Sequence, residues 1–271
     1  MDRARTSGRV AGAEGGAGRL HAPRVPAKQR LHLAAFLILF AWPVFAQNDI
    51  AFDPTITQQQ FETFSRLVAQ GIYATPVDPA RARGLMRFDI GVAATAIPVE
   101  TNSPYWQKSV SDDFTISDHV VVPRVVATKG LSVATISAMY SQVPDSDISV
   151  WGAALDVPIL GGGVVKPTLA VRGSYAMLQG VDNFDLKTYG AELFLSKGFG
   201  PVTPYAAVGI ARSDAEGTFT SAALSNVRLT DQASSNRVTI GLKLSLLIPK
   251  IIVEATQGEE RSYAAKVSFG L

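Results

Sequence analysis

Beyond its first 46 residues the chain carries a single histidine, His119. Imidazole is the side chain best suited to general-base work near neutral pH, so hydrolytic or acyl-transfer chemistry in this protein would turn on it. Asp118 adjoins it, and Ser111, Asp112, Asp113 and Ser117 stand close by in sequence, so the ingredients of a Ser, His and Asp set (His119, Asp118 and Asp113 above all) are present in composition. The same residues are the ordinary material of a solvated turn, and that is the better-supported reading. There is no GxSxG, no HExxH and no phosphate-cradling glycine loop at a strand-to-helix turn. Gly161-Gly162-Gly163 is followed by Val164 and not by lysine, and reads as a flexible turn. Without cysteine and with one histidine in the mature chain, no metal cluster is implied. No cofactor is implied either, and the leading expectation is that the protein is not an enzyme.

A second group of residues has a different chemistry. Arg87, Asp89, Arg172, Glu192, Arg237, Lys243, Glu254 and Lys266 each occupy a polar position within a stretch where apolar and polar side chains alternate. An alternation of two places them on one face of a strand. Ten such stretches are expected, the first from about residue 85, the others near 119–129, 131–141, 147–156, 166–177, 185–197, 202–212, 236–247, 250–257 and 261–270. Val238, Ile240, Leu242 and Leu244 share one face of their segment, opposite Arg237, Thr239, Gly241, Lys243 and Ser245; Val202, Pro204, Ala206, Val208 and Ile210 do the same opposite Thr203, Tyr205, Ala207, Gly209 and Ala211. Faces rich in Gly, Ala, Ser and Thr with isolated charges suit a packed interior better than a solvated surface, so the greasy faces are expected to point outward. The competing reading is a soluble secreted β-sandwich binding module, in which they would point inward.

The segment lengths favour the first reading, because a tilted membrane strand needs roughly 9–11 residues whereas strands of soluble proteins average about five or six. The connections agree in part. With both ends of the barrel chain on the periplasmic side, long outer loops should alternate with short inner turns; the two longest connections, 98–118 and 213–235, fall on the same side, while 157–165 is longer than an inner turn should be. Aromatic residues at strand ends (Tyr140, Trp151, Tyr175, Tyr189, Phe199 and Tyr205) fit an interfacial girdle. Tyr105-Trp106 in the first outer loop could contact a partner or fold back on the rim.

Charge and hydropathy must be read after dividing the chain. Arg24, Lys28 and Arg30 precede the apolar run 31–45, and Val44-Phe45-Ala46 suits a signal peptidase, so 1–46 is expected to be leader and signal peptide, cut after Ala46. Residues 1–23 match neither a signal nor a fold, and a start-site artefact with Val25 as initiator would account for them. The leader holds seven of the 25 basic and two of the 23 acidic side chains, which leaves the mature chain at net −3. The basic isoelectric point, about 8.8, therefore belongs to the leader, and no nucleic-acid partner is implied. Export without cysteine means a fold that needs no disulfide.

Residues 47–84 precede the first strand. Phe61, Phe64, Leu67 and Val68 recur at helical spacing, Thr57 and Gln60 have the spacing of a capping box, and Gly71 suits a C-terminal cap, so a helix over 57–70 is expected, followed by a proline-containing linker over 72–84. The helix could plug the barrel, sit at its periplasmic mouth or contact lipid.

At the end of the chain Tyr263, Ala265, Val267, Phe269 and Leu271 alternate to the last residue. This resembles the C-terminal assembly signal of bacterial outer-membrane β-barrel proteins, and the resemblance extends over 85–271 as architecture, although that pattern usually ends on an aromatic residue and here Leu271 closes the chain. The resemblance implies an antiparallel transmembrane barrel of about 10 strands, partnered by outer-membrane lipid and, during biogenesis, by the barrel-assembly machinery. It implies a structural or passive small-solute role, with five cations and three anions of the lumen set pairing across a narrow, mostly filled interior. Since some small barrels of this kind modify lipids, His119 near the outer rim is the alternative.

Overall fold

The computed structural model describes residues 50–81, 84–110, 118–143, 146–162, 166–219 and 227–270. Alternation of apolar and polar side chains produces ten antiparallel strands that close into a barrel in simple chain order. They are β1 (Phe88–Pro98), β2 (His119–Gly130), β3 (Thr135–Gln142), β4 (Ser149–Leu160), β5 (Thr168–Gln179), β6 (Phe184–Ser196), β7 (Val202–Phe219), β8 (Val227–Ser245), β9 (Pro249–Gln257) and β10 (Arg261–Gly270). The seam is a full ladder between β1 and β10, from Asp89 opposite Gly270 to Ala96 opposite Tyr263. Closure removes the unpaired edge that an open sheet would present.

Among the described residues two helices accompany the strands: α1 (Gln58–Ile72) before β1, and the short α2 (Pro104–Gln107) in the connection between β1 and β2. The capping box is formed, with Gln60 N–H donating to Thr57 Oγ1 and Thr57 N–H donating to Gln60 Oε1. Gly71 does not cap the helix. The helix runs through it to Ile72 and is capped at Tyr73, because its terminal carbonyls are taken up by a side chain from the barrel wall, described below.

The largest difference from the sequence reading lies between β7 and β8. Residues 213–235, expected as a loop, are mostly strand: β7 has 18 residues and β8 has 19, paired through to Phe219 opposite Val227. Ser, Asp, Gln and Asn on this stretch mask its alternation, yet Ser213, Ala215 and Gly217 stay on one face throughout. β4 similarly runs on to Leu160 with a register shift between Pro158 and Leu160, which shortens the connection expected at 157–165. Gly163 lies outside the described residues.

Connections β1–β2, β3–β4, β5–β6, β7–β8 and β9–β10 share one end of the barrel, here the loop end; β2–β3, β4–β5, β6–β7 and β8–β9 share the other, the turn end. The parity of the faces is as the sequence implies. Val208, Ile210, Val238, Ile240 and Leu242 point outward and are 44–61% exposed, while Ala207, Arg237, Thr239 and Lys243 point into the lumen and are buried. On β6, Ala191, Leu193 and Leu195 form the outward row between Tyr189 and the turn. Two cross-strand aromatic pairs cap this belt toward the loop end, Tyr140 with Trp151 at 4.6 Å between ring centroids and Tyr175 with Tyr189 at 5.2 Å. Phe88, Phe199 and Phe269 stand outward near the turn end. Tyr205 does not join either rim: it points into the lumen and is buried.

Candidate functional site: the occupied lumen

The lumen is filled by the chain's own residues 58–81. α1 lies in the loop-end half. Phe61 and Phe64 are fully buried, and with Phe52, Trp106 and Phe184 they form a cluster of edge-to-face and tilted rings with centroids 5.4–6.0 Å apart. Leu67 is buried and Val68 packs against the same cluster. The helix is tied to the wall by Gln58 Nε2 donating to Thr230 O (2.8 Å) and by Arg66, whose Nε and Nη2 donate to Asp231 Oδ2 and Oδ1, both at 3.2 Å.

Glycines on the wall make this fit possible. A Cβ on Gly190 would lie 1.8 Å from the phenol oxygen of Tyr73, and one on Gly217 would lie 2.5 Å from the ring of Phe61. Neither position requires an unusual backbone; each requires the absence of a side chain.

Past the helix the chain descends toward the turn end, and wall charges bind it at each step. Arg124 Nη1 donates to Tyr73 O (2.9 Å) and its Nη2 to Gly71 O (3.1 Å) and Thr95 Oγ1 (2.9 Å). A guanidinium thus satisfies helix-terminal carbonyls and sits at the negative end of the helix dipole, which is why a glycine cap is dispensable. Arg237 stacks 3.8 Å from the Tyr73 ring centroid, donates to Gln70 Oε1 (2.9 Å) and lies 3.7 Å from Glu192. Glu254 accepts from Tyr205 Oη (2.6 Å) and from Thr75 Oγ1 (3.4 Å).

Asp78 is the centre of the lower half. Its carboxylate accepts from Lys243 Nζ (2.7 Å) and Lys266 Nζ (3.4 Å), and its carbonyl accepts from Arg172 Nη2 (2.8 Å). Lys266 also donates to Pro76 O (2.6 Å), and Arg172 forms a fork with Asp156 at 2.7 and 3.1 Å beneath the Phe194 ring. Between these anchors Val77 is held at φ 48°, a left-handed conformation that β-branched residues avoid and that persists only where the surroundings impose it. Thr135 Oγ1 donates to Arg81 O (2.8 Å) as the chain leaves the lumen.

Seven of the eight residues expected in the lumen are there: Asp89, Arg172, Glu192, Arg237, Lys243, Glu254 and Lys266 are buried. Arg87 is not; it precedes β1 and is exposed. Asp89 pairs with Lys250 at the turn-end rim (2.5 Å). Arg124, Asp156 and Asp231 lie outside the expected set; strand parity places Arg124 and Asp156 inward, whereas Asp231 falls in the stretch 213–235 expected as a loop. Asp78, within the expected linker, carried no such signal. The pairing also differs from expectation, since several wall charges bind residues 58–81 and do not simply meet one another across the lumen. Among the described residues the buried charges include five cations and six anions, close to neutral, as a low-dielectric interior demands.

The polar side of this packing leaves a pocket of about 20 Å³ beside Tyr73 and Arg237, room for about one water. A larger cavity of about 110 Å³ lies between Leu67, Val68 and Ile72 of α1 and Ile97, Val120 and Val122 of the wall, and its lining is almost wholly apolar.

The other expected residues lie elsewhere. His119 and Asp118 are exposed at the loop end of β2, and Ser111, Asp112, Asp113 and Ser117 lie outside the described residues. Trp106 folds back into the rim cluster and is 5% exposed. Tyr263 and Phe269 point outward on β10 with Val267 half-buried between them; Leu271 is outside the described residues, as is the expected leader 1–46.

No family model matches the chain, and no curated protein matches it. Among solved structures, it is similar to the N-terminal β-barrel domain of Pseudomonas aeruginosa OprF, with a TM-score of 0.34 and 11% identity over 70% of this chain and 100% of that one. It is also similar to Ail, the attachment invasion locus protein of Yersinia pestis (0.31, 11%, 68% and 97%), and to Neisserial surface protein A (0.28, 11%, 68% and 94%).

Proposed function

We propose that the protein is a bacterial outer-membrane β-barrel that acts as a structural, non-catalytic element of the envelope, closed at rest by its own residues 58–81. The observation that carries this reading is the inversion of the usual globular pattern. Apolar side chains face outward around the closed wall, and charges are buried within it. A soluble protein exposes no apolar belt of this extent, because contiguous patches on monomers rarely exceed a few hundred Å². Lipid is the partner that fits the belt. From Tyr189 on β6 to Phe199, in the turn that follows that strand, are ten positions, about 33 Å of extended chain, or about 25 Å of height at the usual tilt, which matches the apolar band of membrane barrels. Outward charge resumes at Arg212, beside Tyr189 in the ladder.

Passive passage of polar solutes would require residues 58–81 to leave the lumen, since the polar space beside them holds about one water and the larger cavity against α1 is almost wholly apolar. The test is paired. Purified protein should migrate differently in denaturing gels before and after boiling, as a membrane barrel does, and should give flat current traces in planar bilayers. A migration unchanged by heat removes the membrane reading; steady conductance by the native protein removes the closed lumen.

A further inference from the structure

The chain passes through the lumen from the loop end to the turn end. Residues 50–55 are knitted to the β1–β2 connection at the loop end: Ile50 bridges Val110, Ala51 N–H donates to Ser109 O (3.1 Å), Asp53 N–H to Lys108 O (2.8 Å) and Lys108 Nζ to Thr55 O (3.3 Å). The anchors that follow descend in order, from Arg66 with Asp231, through Tyr73 beside Gly190, to Asp78 with Lys243 and Lys266, and finally Arg81 with Thr135 at the turn end. Fifteen helical residues rise about 22 Å and the nine that follow add up to about 30 Å when extended, which is enough to cross a hydrocarbon layer of about 30 Å. The wall strands begin and end at the turn end, whereas residues 50–57 lie at the loop end.

We infer that the protein displays residues 50–57 on the outer surface of the cell and that its barrel is the conduit holding its own N-terminal segment across the membrane. This rests on the membrane reading above. At the loop end these residues lie beside α2, on the same side of the barrel as the β7–β8 hairpin.

The native chain has no cysteine, so single-cysteine variants report one position each. Ala51→Cys tests the segment, Arg228→Cys marks the loop end and Met86→Cys marks the turn end; all three positions are exposed. Each variant is first checked for heat-modifiable migration, then treated with a membrane-impermeant maleimide on intact and on lysed cells. The expected result is that Ala51→Cys and Arg228→Cys label to the same extent before and after lysis, whereas Met86→Cys labels only after it. Labelling of Arg228→Cys on intact cells with Ala51→Cys protected would overturn the threaded route. Labelling of Met86→Cys on intact cells with both others protected would overturn the outward display and leave the membrane reading standing. Equal labelling of all three in a soluble fraction, with no heat-modifiable band, would remove the membrane reading itself.

Discussion

Asp78 shows how much of this molecule depends on single side chains. One carboxylate meets two buried lysines, and the neighbouring Val77 is held in a conformation it would not choose. Removing one partner of a buried ion pair generally costs about 3–5 kcal/mol, because the remaining charge stays desolvated. Asp78→Ala should therefore loosen the segment and convert flat bilayer traces into intermittent openings, with Asp78→Asn intermediate because its amide still accepts a hydrogen bond. Arg172→Ala and Lys243→Ala should act in the same direction, raising conductance by releasing the segment and not by altering the selectivity of an open path. Gly190 supplies a steric counterpart. Gly190→Ala places a methyl group against the Tyr73 phenol, and overpacking of this kind costs about 1–3 kcal/mol; the expected outcome is a lower unfolding midpoint in denaturant with unchanged strand content by circular dichroism.

At the scale of elements, α1 is held by its packed face and by its two ends. Its apolar stripe was legible in the sequence, as was its N-terminal cap, because both are local patterns. Its C-terminus was not, because the group that satisfies it is Arg124, more than 50 residues away in sequence. Arg124→Ala should fray the last turn and expose the chain near Tyr73 to protease, and restoring a glycine cap alone should not compensate, since Tyr73 and Gly71 would still present unpaired carbonyls. Phe61→Asp with Phe64→Asp should unseat the helix while leaving the wall intact, because the β1–β10 ladder does not pass through it. Heat-modifiable migration that persists alongside new protease cleavage within 58–72 is the expected readout; resistance to cleavage would mean that the helix does not depend on its aromatic face.

For the whole molecule, wall and segment depend on each other unequally. Ten strands close with or without an occupant as far as backbone pairing is concerned, yet an empty lumen of this width would leave Arg124, Arg172, Arg237, Lys243 and Lys266 with much of their hydrogen bonding unmet. Deletion of residues 58–81 should therefore give either a conducting barrel or a barrel of much reduced stability. Native-like stability together with flat traces would show that the wall charges can close the lumen by pairing among themselves.

The sequence by itself determined a barrel of about ten strands and the parity of most of them, and hence which faces turn outward, because a period of two is written residue by residue and survives any packing. It determined most of the buried charges for the same reason. It did not determine where the β7–β8 hairpin ends, since polar residues on that stretch blur the alternation that only the ladder from Val202 to Phe219 reveals. Nor did it determine what occupies the lumen. Asp78 in a proline-containing linker has no periodic signature, and its role exists only once Lys243 and Lys266, some 165 and 188 residues downstream, close around it. Interior charge must be neutralised wherever a partner can be brought within reach, and that reach is a property of the closed barrel, not of the chain.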